Sequence, residues 1–264
     1  TDQHQPGRRT ARSGRVRALL VALVLAATAV GAPTQVSDTS AACGSFQSMV
    51  DSASSGSTIT IPPCTYTEIV EVRKPLTINA AGVTIDGGNT RAYGLKILAN
   101  DVTVNGLTVT RVNGGAHVGA VWTTGISRFT FRDGVARDSA TVCVSLNGGS
   151  GHRILDSRMT GCGKEGYFAN GTTDILFKGN RIDHNNTNLA FDPQSEAGGG
   201  KVMASTGVTF DSNEVDHNGG PGIWFDNGVT NVTVMNNSSH DNHESGIMFE
   251  ISSNATISNN AVWN

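Results

Sequence analysis

Two short phrases, GIWFD ending at Asp226 and GIMFE ending at Glu250, each close an apolar run with a carboxylate, and the two carboxylates lie 24 residues apart. Alternation along a strand puts Ile223 and Phe225 on one face and Trp224 and Asp226 on the other. The second phrase leaves Met248 and Glu250 on the same outer face. A third carboxylate, Asp192 in NLAFDP, joins them if the turn of its repeat is one residue shorter. The earlier runs SLN and YFAN add Asn147 and Asn170, so the expected outward row is Asn147, Asn170, Asp192, Asp226, Glu250. Carboxylates on adjacent strands, about 4.8 Å apart, repel by about 1 kcal/mol in water and about 3–4 kcal/mol at an effective dielectric of 20. A cation such as Ca²⁺ bound by Asp192, Asp226 and Glu250 relieves this. So does one carboxyl that keeps its proton and becomes a general acid. The second outcome is a glycosidase arrangement, because retaining enzymes hold two carboxyls about 5–5.5 Å apart. Asp226 and Glu250, with Asp192 beside them, are therefore the candidate catalytic groups. Trp224 is a candidate sugar-stacking face. A merely solvated acidic surface is the bland alternative.

Such a row exists only if the chain repeats. The runs VTIDGG, VTVNGLTV, FTFRDGVA, RILDSRM, ILFKGNRI, VTFDSNEV, VTVMNNSS and ATISNNAV align on Ile85, Val104, Phe131, Ile154, Phe177, Phe210, Val234 and Ile257, with steps of 19, 27, 23, 23, 33, 24 and 23. Each run alternates like a strand, and a unit too small to bury its own apolar face must stack on its neighbours. Asn180, Asn213, Asn237 and Asn260 recur three residues after the reference position, and Asn185, Asn218 and Asn242 eight after it. Stacked amides can bond along such an axis. The step of 33 carries about ten extra residues in PQSEAGGGKVMAST. Gly198 to Gly200 suggest a flexible loop bearing Glu196 and Lys201 next to the acidic row. Lys201 is a candidate to bind an acidic sugar or to act as the base of a lyase. His184 and His217 fall at one turn, as do Asp183 and Asp216, with His240 at the Asp position and His243 close by; these read as turn ladders.

These repeats resemble the right-handed parallel β-helix proteins of the pectate-lyase-like superfamily, over about residues 57 to 264. The resemblance implies an all-β, single-stranded right-handed solenoid, with SFQSMVDSASSGSTITIPPCTYTE supplying a short N-terminal capping helix and first strand. It also implies that the chain stops inside a coil at Asn264, with further coils missing. The W-x-D strand followed one coil later by F-E-I is similar to the arrangement in β-helical β-xylosidases, which implies Asp226 as nucleophile and Glu250 as acid/base. The FDP run is similar to alginate epimerases, but Gln194 replaces their following His. The paired Asp and Gly-His-Gly motifs of polygalacturonases are not found.

Residues 1–32 read as an export signal: five arginines from Arg8 to Arg17 precede the apolar run Ala18 to Val30, which is too short for a confident span. Cleavage after Ala32 fits a small-x-small rule, with Ala41 and Ala42 as alternatives. Residues 33–44 are then a linker and 45–264 the solenoid domain. Removing residues 1–32 takes away five Arg and Asp2, leaving a formal charge of 14 − 21 = −7. That disfavours nucleic acid as a partner. Four cysteines in an exported chain permit disulfides. A Cys43–Cys64 clip is plausible, whereas the pairing of Cys143 with Cys162, which fall at different points of their repeats, stays open. The expectation is a secreted, monomeric protein, free of the membrane after cleavage, acting on an extracellular polysaccharide. Hydrolysis, Ca²⁺-dependent elimination and non-catalytic glycan binding all remain compatible with that fold.

Overall fold

The computed structural model describes Thr1 and residues 43–264. The leader read over residues 1–32 and most of the linker lie outside the described residues. Three parallel sheets wind as a right-handed solenoid of about eight turns. Sheet 1 has nine strands from Thr58–Thr60 to Ser253–Ser258, sheet 2 has nine from Thr65–Tyr66 to Ala261–Trp263, and sheet 3 has eight from Val70–Val72 to Ile247–Phe249. Successive turns contribute one strand to each sheet in the order 1, 2, 3, and the last gives strands to sheets 1 and 2 only.

The register follows the repeat alignment with one correction. Val104, Phe131, Ile154, Phe177, Phe210, Val234 and Ile257 are successive partners in sheet 1. Ile85 is not in that row: it pairs with Tyr66 and Val109 in sheet 2, and Ile78 is the true partner of Val104. The short step of 19 thus becomes 104 − 78 = 26. Both TIN and TID are three-residue strand signals, and only pairing distinguishes them.

The interior is filled by these aligned apolar residues. Phe177 stacks on Phe210 at 4.6 Å, Tyr167 packs against both rings, and Phe225 meets Phe210 edge-on. Burying each such ring stabilises the coil by about 1.5–3 kcal/mol. The turns are held by the expected amide ladders. Asn213 Oδ1 accepts from the backbone N–H and the side-chain amide of Asn180, both at 3.0 Å, while its own amide donates to Phe177 O and Asn237 Oδ1 at 2.9 Å. Asn185, Asn218 and Asn242 repeat the pattern at the next corner. The side-chain amides of these buried asparagines bond along the ladder and to backbone carbonyls, so backbone groups that turn away from the sheets stay paired.

The N-terminal cap is the helix Phe46–Ser52, with Phe46 and Val50 buried over the first coil. Glu68 accepts from the Phe46 and Gln47 backbone N–H groups and from the Ser45 hydroxyl, satisfying donors that a helix start leaves free. Both disulfides are formed, Cys43–Cys64 and Cys143–Cys162, with Cα separations of 6.1 and 5.7 Å. Among the described residues, no helix is long and apolar enough to cross a membrane.

The extra length between Phe177 and Phe210 lies earlier than its glycines suggest. Gly198–Met203 is a full strand of sheet 3, and the loop is 184–197, before it. The glycines serve close approach and not flexibility: a Cβ on Gly200 would lie 2.4 Å from Tyr167, and one on Gly199 would lie 2.3 Å from Gly222 O.

Candidate functional site

Two outward rows run along sheet 3. One is Glu71, Lys96, Trp122, Ser145, Phe168, Lys201, Trp224, Met248. The other, beside the turn into sheet 1, is Thr124, Asn147, Asn170, Met203, Asp226. Glu250 continues it: Phe225 pairs with Phe249, and the Glu250 N–H donates to Phe225 O at 3.0 Å. Asp226 and Glu250 therefore occupy neighbouring rungs, as the two phrases imply.

Asp192 does not share their row. Met203 holds that place, because the strand of this turn is GGGKVM and not NLAF. Asp192 sits in the 184–197 loop, where its carboxylate accepts from the Gln194 N–H at 2.9 Å and the Ser195 hydroxyl at 3.1 Å. A Ca²⁺ site built from Asp192, Asp226 and Glu250 loses one of its three carboxylates. The remaining two are engaged as described next.

Lys201 is the centre of the site, on the strand and not in a flexible loop. Its ammonium lies 2.7 Å from Asp226 Oδ2, donates to Ser195 O at 2.9 Å, and sits 3.7 Å from the centre of the Trp224 ring. The Trp224 indole N–H donates to Glu250 Oε1 at 3.0 Å. One aromatic ring thus carries the cation on its face and a carboxylate at its edge. Trp224 faces outward as expected, yet it is only 1 % exposed, so its face is covered by Lys201 and not open to a sugar. Asp226 is 13 % exposed, and its Oδ1 is buried without a hydrogen-bond partner.

Glu196 does not meet Lys201 through its side chain. It pairs instead with the fully buried Lys164 at 2.8 Å, and Lys164 also donates to Ala116 O and approaches His117 Nδ1 at 3.5 Å. This joins the 184–197 loop to the 111–118 loop over the sheet. His117 stacks on Phe168 at 4.2 Å, and burial, followed by the nearby Lys164 ammonium, holds its imidazole below the ordinary value. Glu165, next in sequence, is fully buried with neither oxygen partnered, and burial pushes its carboxyl well above the usual carboxylate range. Lys164, Glu165 and His117 escape the sequence analysis. A charged pair opening the strand Glu165–Asn170, in a row that elsewhere holds Gly119, Val142 and Gly198, is the signal that marks them.

The family described as right handed beta helix region matches residues 114–264. Among solved structures, a point mutant of the periplasmic alginate epimerase AlgG is similar with a TM-score of 0.61 at 12% identity, covering 78% of this chain and 50% of that one. AlgG itself gives 0.52 at 12% identity, over 79% of this chain and 60% of its own. Pectate lyase Pel9A gives 0.47 at 16% identity, over 81% and 72%. The chain thus spans about half the length of the epimerase mutant that it matches. At these identities the likeness is one of fold. No curated protein sequence matches.

Proposed function

The chain belongs to the right-handed beta helix family, and from that premise we propose that it is an exported protein that cleaves an extracellular polysaccharide at the Lys201–Trp224–Asp226–Glu250 cluster of sheet 3. Its two disulfides suit an oxidising compartment. The observation that carries the proposal is the pair of carboxylates on adjacent rungs, each oriented by its own partner: Asp226 by the Lys201 ammonium and Glu250 by the Trp224 indole. Fixed orientation of reacting groups is what such a site needs.

In the hydrolytic mechanism, Asp226 attacks the anomeric carbon while Glu250 gives a proton to the leaving oxygen. Glu250 then takes a proton from water, which displaces the sugar from Asp226. The unpartnered Asp226 Oδ1 is the free oxygen for attack, and the 184–197 loop must shift to admit a sugar ring. Lys201 is the weaker candidate for a lyase base, since its ammonium is already paired with the Asp226 carboxylate and donates to a backbone carbonyl. One observation favours elimination as the second reading: the Lys164 and Lys201 ammoniums gather beside His117 on the same face, and ammonium groups there suit a uronate carboxylate once the loop shifts.

A panel of neutral and acidic glycans, followed for new reducing ends and for the ultraviolet absorbance of an unsaturated sugar, separates the two. Asp226→Asn and Glu250→Gln are each expected to lower kcat by about 100-fold or more with unchanged circular dichroism. Full activity in both variants eliminates this site. Cleavage with ultraviolet absorbance replaces hydrolysis by elimination.

A further inference from the structure

The outer face of sheet 2 carries a second cluster, on a different side of the coil from Asp226 and Glu250. Four rungs show how it arises. Arg158, Arg181 and Glu214 are successive partners in one row, and Thr160, Asp183, Asp216 and His240 in the next. Arg158 reaches forward one rung to Asp183, with Nε 3.0 Å from Oδ1, and Arg181 reaches forward to Asp216 at 3.1 Å. In the third such pair both partners change character. Glu214 stands where the arginines stood, and His240 where the aspartates stood. Glu214 Oε1 lies 3.9 Å from His240 Nε2.

The change leaves donors converging on one point. Ligand atoms of Glu214, Asp216 and His240 all lie within 4.8 Å of one another. Asp216 is 1 % exposed, and its Oδ1 is buried with no hydrogen-bond partner. Its Oδ2 is already engaged by Arg181 and by His217 Nδ1 at 2.7 Å. His240 Nδ1 contacts Asp241 Oδ2 at 2.8 Å. With Nδ1–H donating there, the lone pair is on Nε2, the nitrogen that faces Glu214. Trp263 stacks on the His240 ring at 4.4 Å and fixes its plane. A carboxylate behind a ligating histidine and hydrogen bonds behind a ligating carboxylate are the usual outer support of a metal site.

We propose that Glu214, Asp216 and His240 bind a divalent first-row transition ion, with Asp241, His217 and Arg181 orienting the three ligands. One imidazole with two carboxylates suits Zn²⁺ and its neighbours better than thiol-seeking or purely oxygen-seeking ions. Bond lengths of about 2.0–2.2 Å require the three donors to draw together. Glu214, with 47 % of its side chain exposed, has the freedom to do so. The ion supplies the missing partner for Asp216 Oδ1. It would also tie together the rungs of Asp216 and His240, the last two before Trp263.

Isothermal titration of the full chain with Zn²⁺, and optical titration with Co²⁺, test this. One ion per chain is expected, with affinity at least tenfold weaker in Glu214→Gln and His240→Ala and unchanged in His184→Ala. His184 belongs to the same histidine ladder but lies outside the site. A Co²⁺ d–d band should appear in the parent and be lost in His240→Ala. Glu214→Gln is an exposed, near-isosteric change, so it reads the site even if His240→Ala perturbs the coil. Absence of stoichiometric binding, equal binding in Glu214→Gln, or equal loss in His184→Ala overturns the proposal and leaves Glu214 and His240 as an ordinary surface pair.

Discussion

Glu165 places a carboxyl where neither oxygen has a partner, and the consequence is a dependence of stability on pH. Burial raises its native pKa well above the ordinary carboxylate value. Above that ordinary value the unfolded chain releases the proton while the native state still holds it. The contribution of Glu165 to stability is therefore fullest in acid and declines as pH rises through the window between its two pKa values, by at most about 1.4 kcal/mol per pH unit. Glu165→Gln removes the titration. Its melting temperature, measured from about pH 5 to pH 8, is expected to fall less than that of the parent. Parallel profiles for the two proteins contradict a protonated Glu165. At this same scale the sequence reveals the chemistry only in part. Asp226 and Glu250 are legible because strand alternation fixes their side of the sheet. Lys164, Glu165 and His117 are not, since burial of a charge depends on which loop closes over it.

At the scale of the element, the unit is one corner of the coil with its asparagine. Asn213 serves as acceptor for two groups of Asn180 and as donor to Phe177 O and Asn237 Oδ1. Asn213→Ala removes the side-chain partner of Phe177 O and of two Asn180 donors on one neighbouring rung and one of the two donors to Asn237 Oδ1 on the other, and each buried group left unpaired costs about 1–3 kcal/mol. A loss of at least about 2 kcal/mol in urea unfolding is expected, well above that of an exposed substitution such as Thr173→Ala. Equal losses in the two variants contradict a structural ladder. The ladder is legible from spacing alone because stacked turns need the same residue at the same offset. The 184–197 loop is not. Glycines signal conformational freedom or close approach with equal force, and only the neighbouring Tyr167 ring and Gly222 carbonyl show that Gly199 and Gly200 serve the second.

At the scale of the solenoid, the described coils form a stack in which each rung touches the rungs on either side, so damage should stay local. Phe210→Ala removes the ring between Phe177 and Phe225 and is expected to cost about 3–5 kcal/mol. Hydrogen exchange should accelerate first in the strands Thr173–Lys178, Thr206–Asp211 and Thr230–Met235. The strands Leu76–Asn79 and Val102–Asn105, far along the axis, should keep their protection. Uniform acceleration along the chain contradicts a stack of semi-independent turns.

The sequence by itself determined the coil: a modal repeat of 23 to 24 residues with alternating apolar positions has few ways to bury its apolar face other than stacking. It also determined that Asp226 and Glu250 are neighbours, because near-copies of one phrase a single repeat apart align. Tertiary structure alone decided that Met203 replaces Asp192 in their row, that Lys201 pairs with Asp226, and that Trp224 is covered. The physical reason is that periodicity constrains positions within regular turns, whereas an insertion shifts register by an amount that only packing against the adjacent rungs can fix.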